Sequence, residues 1–173
     1  MTTPAAVPLR GRLVCLRPPI PADAERLAEI LAHPAVARWW HGYDLERVRR
    51  ELIDPDDGTV AFAVEADGQV IGLVQYWEET EPDYRHAALD VFLDPAWHGR
   101  GLGADAVRTV ARYLFEQRGH HRITIDPATA NAAAIRCYEK AGFRPVGVMH
   151  SAWRNAATGR WCDLLLMELV VAD

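Results

Sequence analysis

The succession of apolar patterns predicts an α/β (α+β) fold: one mixed, mostly antiparallel sheet of about seven strands with helices on both faces. Three observations predict it. An Asp67-Gly68 pair joins two β-rich runs early in the chain, which is a hairpin signature. A strand–helix–strand–helix order follows, the kind of unit beside which a nucleotide-like ligand sits. Two long β-rich runs around Gly159 then close the chain. No repeat, low-complexity tract or Gly/Ser linker divides the 173 residues. A single domain is expected, with residues 1–9 as a flexible terminus.

Each element has its own signal. Residues 12–17 alternate and stop at Pro18-Pro19, as a first strand closed by prolines does. Residues 21–32 place Asp23 and Glu25 in a first helical turn and carry Ala24, Leu27, Ala28 and Leu31 at helical spacing. Residues 44–52 read as a second short helix. Strands 59–65 and 70–77 flank the Asp-Gly turn, and strand 87–93 ends at Asp94-Pro95. Over 102–117, Leu102, Ala106, Val110 and Leu114 recur every fourth position, with Val107, Ala111 and Phe115 beside them. That pattern gives a helix with a wide buried face. Strand 122–125 halts at Asp126-Pro127, and helix 131–141 has Asn131 as N-cap with Gly142 just past its end. Strands 143–153 and 160–171 complete the sheet.

Composition narrows the function classes. Apolar and aromatic residues make up 50% of the chain and charged ones 25%, enough for a buried core. A net charge of −5 argues against general nucleic-acid binding, which needs a basic face. No apolar run approaches the roughly 18 residues of a membrane helix, and the start is too short and weakly apolar for a secretory signal. Cys15, Cys137 and Cys162 are far apart, with neither a CxxC pair nor a metal-binding spacing. No disulfide framework or metal site is expected, and a reducing cytoplasm is the natural setting. Glu78, Glu79, Glu81 and Asp83 form an acidic run, readable as a solvated loop or as a lure for a cation. Strand order is expected to bring it to the same end of the sheet as Asp90 and Asp126.

The strongest local feature is Trp97-His98-Gly99-Arg100-Gly101-Leu102-Gly103, directly after a strand and opening a helix. Its glycines let the backbone turn tightly and approach a ligand, while first-turn N–H groups and Arg100 favour an anion. The Lys-Ser/Thr ending of a triphosphate loop is missing. Some thirty residues on, Asn131, Ala134, Ile135 and Tyr138 share one helix face. Asn131 can hydrogen-bond an amide-rich ligand, the alanine permits close approach, and Tyr138 offers a phenol.

Taken together, these two segments resemble the acyl-coenzyme A loop and the Asn-to-Tyr helix of the GNAT superfamily. The loop matches Gln/Arg-x-x-Gly-x-Gly/Ala except that His98 stands in the Gln/Arg place, and the helix ends in Tyr138, Lys140, Gly142 and Phe143 as the family's does. A closer resemblance, from Leu16 to Phe143, is to the aminoglycoside 6'-N-acetyltransferases of type Ib. Arg38-Trp39-Trp40-His41-Gly42, Trp77-Glu78-Glu79-Thr80-Glu81-Pro82, Asp90, Asp126-Pro127 and residues 134–143 carry it. The chain lacks a stretch those enzymes have before Trp77, and it follows another pattern from Gly147 onward. Both regions bear on the acceptor pocket.

The resemblance implies the GNAT fold, acetyl-coenzyme A as cofactor and an N-acetyltransferase acting on a cationic small-molecule amine, in a monomer or homodimer. It implies Asp90 near the amine, Tyr138 as the acid for the departing thiolate and Asp126 on the cationic sugar. Cofactor contacts are expected from His98, Gly99, Arg100, Gly101, Leu102, Gly103 and Ala104, from Asn131, Ala134 and Tyr138, and from the strand edge at Val91 and Leu93. Trp39, Trp40, Glu78 and Glu79 are expected on the acceptor side, with Asp163 a further candidate acid. An unperturbed Asp90, near pH 3.9, is a weak base, so burial or neighbouring carboxylates must raise it. A siderophore hydroxylamine or a protein N-terminus is an alternative acceptor, and a non-catalytic acyl-coenzyme A sensor is an alternative of another class.

Overall fold

A computed structural model describes residues 8–171; residues 1–7, most of the expected flexible terminus, lie outside them. Eight strands form one sheet in the order β1-β2-β3-β4-β5-β6-β8-β7. They are β1 (Leu9–Arg10), β2 (Cys15–Arg17), β3 (Val60–Ala66), β4 (Gln69–Glu79), β5 (His86–Leu93), β6 (Arg122–Ile125), β7 (Arg144–Arg154) and β8 (Trp161–Val170). Every pairing is antiparallel except β5 with β6. The helices are α1 (Ala24–Ala32), α2 (Pro34–Ala37), α3 (Leu45–Val48), α4 (Leu102–Glu116) and α5 (Ala132–Ala141). Adjacent residues on one strand join opposite cores: Val74 and Leu93 pack under α4 and α5, while Leu73 and Phe92 pack under α1 and α3. None of the described helices is long and apolar enough to cross a membrane.

The hairpin turn is as the Asp-Gly pair predicts. Asp67 and Gly68 have φ of 50° and 74°, and Ala66 pairs with Gln69 across them. Asp44 caps α3 by accepting from the Arg47 N–H at 2.8 Å, and a wider helical turn, Arg49–Ile53, continues the segment.

The first strand departs from expectation. Residues 12–17 are not one strand; a turn separates β1 from β2, and Leu9, expected in the flexible terminus, pairs with Leu16. The cause is Asp105, buried in the first turn of α4. Its carboxylate accepts from the backbone N–H groups of Arg12, Leu13 and Val14 at 3.2, 2.7 and 3.1 Å. Three amides committed to one carboxylate cannot join a ladder. A Cβ at Gly11 would collide with that carboxylate, so glycine is required there. The contact ties the start of the sheet to the helix that opens the glycine loop. Asp105→Ala is expected to lower stability by about 2–3 kcal/mol in urea denaturation, because three amides, that of Val14 buried, lose their shared acceptor. A loss under about 0.5 kcal/mol, within the range of an ordinary surface change, would contradict this role.

Candidate active site

The site forms where β5 and β6 part. Their parallel pairing covers only Ala87 with Ile123 and Ala88 with Thr124. Past Ile125 the chain follows β8: Leu165 N–H donates to the Pro127 carbonyl at 2.8 Å and Ala128 bridges to Leu164. β5 meanwhile stays on β4 as far as Leu93 opposite Gly72. The result is an open strand edge.

Which groups face the gap follows from strand alternation. Asp94 N–H turns to β4, donating to the Ile71 carbonyl at 2.7 Å. The β4–β5 register has no shift, so Val91 and Leu93 direct their backbone groups to the other side. Two contacts agree: Val91 N–H donates to the Asp90 carboxylate at 3.1 Å, and the His98 ring meets the Leu93 carbonyl at 3.1 Å. His98, expected in the phosphate loop, is thus engaged on the backbone at the end of β5.

The loop beyond is built for a tight approach. Gly99 and Gly101 both have φ of 78°, a left-handed conformation that a side chain disfavours, and Gly101 is the N-cap of α4. The α4 amides therefore open toward the gap without a capping side chain. Gly103 has a different reason: a Cβ there would lie 3.0 Å from Cys137 Sγ, so it lets α4 and α5 close together. Arg100 lies over the Trp97 ring, 4.9 Å from its centre, and has no carboxylate partner among the described residues. Asn131 Oδ1 caps α5 by accepting from Ala134 N–H at 3.2 Å, and its amide N–H groups remain for a ligand.

The gap opens into a cleft of about 520 Å³ that brings together Asp90, Val91, Asp126, Asn131 and Tyr138. Burial, with the Asp126 charge second, raises Asp90 to about 7. Asp126 is raised as well, by desolvation. Tyr138, 6% exposed, is pushed well above 10 by burial and then by the charge of Asp90. It therefore keeps its proton throughout the physiological range.

Trp39 and Trp40 form part of the wall, where Trp40 packs edge-on against Phe92 with centres 4.9 Å apart. The acidic run is elsewhere. It is the connection between two antiparallel strands, so Glu79 stands opposite His86 at the start of β5, four residues from Asp90, or about 13 Å of strand. Glu78 is occupied by Arg118 at 2.8 Å and by buried His120 at 2.6 Å. Glu79 is exposed and accepts from Glu81 N–H at 2.9 Å. Neither lines the cleft. Asp163 is also absent from it; its carboxylate holds Ser151 N–H at 2.8 Å and His150 at 3.1 Å.

Several cleft residues escape a reading of the sequence. Gln75 stands opposite Asp90 in the β4–β5 register, and its signal was there: a lone amide inside an apolar strand. Tyr43 reaches the cleft from just before α3 and Arg47 from within it, and Trp153 and Arg154 reach it from the end of β7. The last two depend on a bulge that no local pattern announces.

Comparison with known proteins bears on this geometry. The family model described as "Acetyltransferase (GNAT) domain" matches residues 13–144. The aminoglycoside N(6')-acetyltransferase type 1 of Klebsiella pneumoniae is 32% identical over 149 residues, covering 73% of this chain and 72% of its own. The spermidine N(1)-acetyltransferase of Escherichia coli is 28% identical, covering 82% of this chain and 79% of its own. Among solved structures, AAC(6')-Ib in complex with paromomycin and acetyl-CoA superposes with a TM-score of 0.75 at 26% identity, over 91% of this chain and 93% of that one. An open sheet with a parted β5–β6 pair, a glycine loop leading into α4 and a family model spanning most of the chain agree: the protein belongs to the GNAT acetyltransferase family.

Proposed function

We propose that the protein transfers an acetyl group from acetyl-coenzyme A to a primary amine of a cationic, aminoglycoside-like small molecule. The observation that carries this reading is the pairing in one cleft of a carboxyl near 7 with a tyrosine held protonated. The residues at and beyond the open end of β5 fit the cofactor: an uncapped α4 N-terminus, an Arg100 without a carboxylate partner among the described residues and the open strand edge at Val91 and Leu93 suit a diphosphate followed by an amide-bearing arm. Bound there, acetyl-coenzyme A supplies the acetyl group as an activated thioester.

The chain's own groups then divide the proton work. An amine arrives as an ammonium ion, which Asp90 and Asp126 attract into the cleft. Asp90, near 7, accepts a proton from it directly or through a water, and the amine becomes a nucleophile. The Val91 N–H, directed into the gap, is placed to donate to an oxygen gaining charge. Attack leaves a second proton on the nitrogen, which is released to solvent through the open cleft; Tyr138 gives its proton to the departing sulfur and is restored by the proton held on Asp90. Trp39 and Trp40 supply flat apolar walls for a sugar ring. The kinship with named aminoglycoside acetyltransferases supports the acceptor class, and the spermidine relative makes a polyamine the second reading.

Two outcomes test this division. Tyr138→Phe is expected to lower kcat by roughly 10² to 10⁴ while acetyl-coenzyme A still binds, measured by thiol release and calorimetry. Unchanged turnover would remove Tyr138 from the acid role. Asp90 is raised on folding, so the folded state holds its proton more tightly than the unfolded chain, and this group costs stability as pH climbs from about 4 to about 7. Asp90→Asn is therefore expected to raise Tm at pH 8 relative to wild type, to leave it little changed at pH 4, and to abolish the acidic limb of kcat/KM. Equal effects on Tm at both pH values would show that Asp90 is not perturbed as described.

A further inference from the structure

We infer that Arg154 is a specificity-determining residue that grips an oxyanion, a carboxylate or phosphate group, carried by the acceptor at the end remote from its amine. The inference rests on the acetyl-transfer step of the proposed function and not on its polycationic acceptor, in whose place it puts one that carries both an ammonium and an oxyanion.

The charge lining the cleft is divided rather than uniformly acidic. Its carboxylates are Asp90 and Asp126, and its cations are Arg47 and Arg154. The acidic run suited to a polycation lies at the far end of β5, with Glu78 already neutralised. Arg47 is fully committed. It pairs with Glu51 at 2.9 Å, donates to the His41 and Gly42 carbonyls at 3.0 and 3.4 Å, and stacks on Tyr43 with its guanidinium 4.0 Å from the ring centre. It braces the wall.

Arg154 differs in being fixed yet unspent. Its Nε–H donates to the Gly159 carbonyl at 3.2 Å, which pins the guanidinium plane to the β7–β8 turn. That turn is itself stapled, since Asn155 Oδ1 accepts from Ala157 and Thr158 N–H at 3.0 and 3.2 Å. Neither Nη group meets a carboxylate among the described residues. A guanidinium held by Nε presents its two Nη groups as a ready fork, the geometry that suits the paired oxygens of a carboxylate or phosphate.

A bulge puts Arg154 at the cleft. Met149 pairs with Leu164 and Trp153 with Cys162, so His150, Ser151 and Ala152 stand opposite Asp163 alone. Ser151 adopts φ of 50°, held by its N–H to the Asp163 carboxylate, and the bend redirects Trp153 and Arg154 into the cleft. An exposed excursion of three residues with a positive-φ serine, tied down by Asp163, is more than a strand needs only to close a sheet. It makes sense where it aims a side chain. An acceptor with an ammonium at Asp90 and an oxyanion at Arg154 meets both ends of the cleft, whereas a second ammonium brought to Arg154 is repelled.

The test compares acceptors matched in size: glucosamine 6-phosphate against glucosamine, and 6-aminohexanoate against 1,6-diaminohexane, by thiol release. Wild type is expected to favour the oxyanion-bearing member of at least one pair by about 10-fold or more in kcat/KM, and the pair that responds tells phosphate from carboxylate. R154Q is expected to collapse that ratio and R154E to invert it, through KM for the amine, with KM for acetyl-coenzyme A as the check on folding. A wild type that favours neither oxyanion, or a ratio that survives R154E, overturns the inference and leaves acetyl transfer standing. Failure to acetylate any amine of the panel, with cofactor binding intact, overturns both.

Discussion

Parallel pairing between β5 and β6 stops after two rungs, and the rest of the site depends on that early stop. Two forces pull the strands apart. β5 is held along its whole length by β4, while β6 and the residues after it are held by β8. Pro127 has no N–H to offer a neighbour, but its carbonyl accepts from Leu165, so the chain leaves β5 without stranding its backbone on the β8 side. On the β5 side the backbone at Val91 is left without a strand partner, its N–H held only by the neighbouring Asp90 carboxylate. A sheet interior normally completes its ladder; here the missing rungs are the opening through which the two faces of the sheet communicate.

Everything chemical then gathers around that opening because of where each element ends. β5 runs into the glycine loop, and the loop into α4, whose uncapped amides face the gap. β6 runs into Asp126, level with Asp90 across the parting. α5 packs close to α4 because Gly103 has no side chain, and that approach carries Tyr138 into the cleft. Burial does the electrostatic work: it weakens the acidity of both Asp90 and Tyr138, making one a usable base and keeping the other protonated until a strong base such as a departing thiolate forms beside it. The same environment that a carboxylate and a phenol resist thus sets their division of labour.

Much of this was legible in the residues. The Asp-Gly hairpin, the fourfold spacing in α4 and the Asn131 cap are local signals, and local physics decides them. The glycine loop and Tyr138 were legible as a pair because their order and separation follow from one strand–helix–strand–helix unit. What failed depended on distant contacts. The split of the first strand needs Asp105, some ninety positions away in the chain. Glu78 and Glu79 read as acceptor contacts because they are acidic and strand order is expected to bring them to the same end of the sheet as Asp90 and Asp126, yet antiparallel register sends them to the other end of β5. Trp153 and Arg154 were invisible as cleft residues, since the bulge that aims them is fixed by Asp163 on the neighbouring strand.

The central claim is that the open edge of β5, continuous with the start of α4, holds acetyl-coenzyme A. Residue-resolved hydrogen–deuterium exchange with and without acetyl-coenzyme A tests it most directly. The amide of Leu93 and those opening α4 should slow on binding, because they gain partners they lack in the free protein, and that of Val91 should slow as it is covered and exchanges the Asp90 carboxylate for a ligand, while the β7–β8 turn should change little until an amine is added. Cofactor binding that leaves Val91 and the α4 amides exchanging as before would contradict the account.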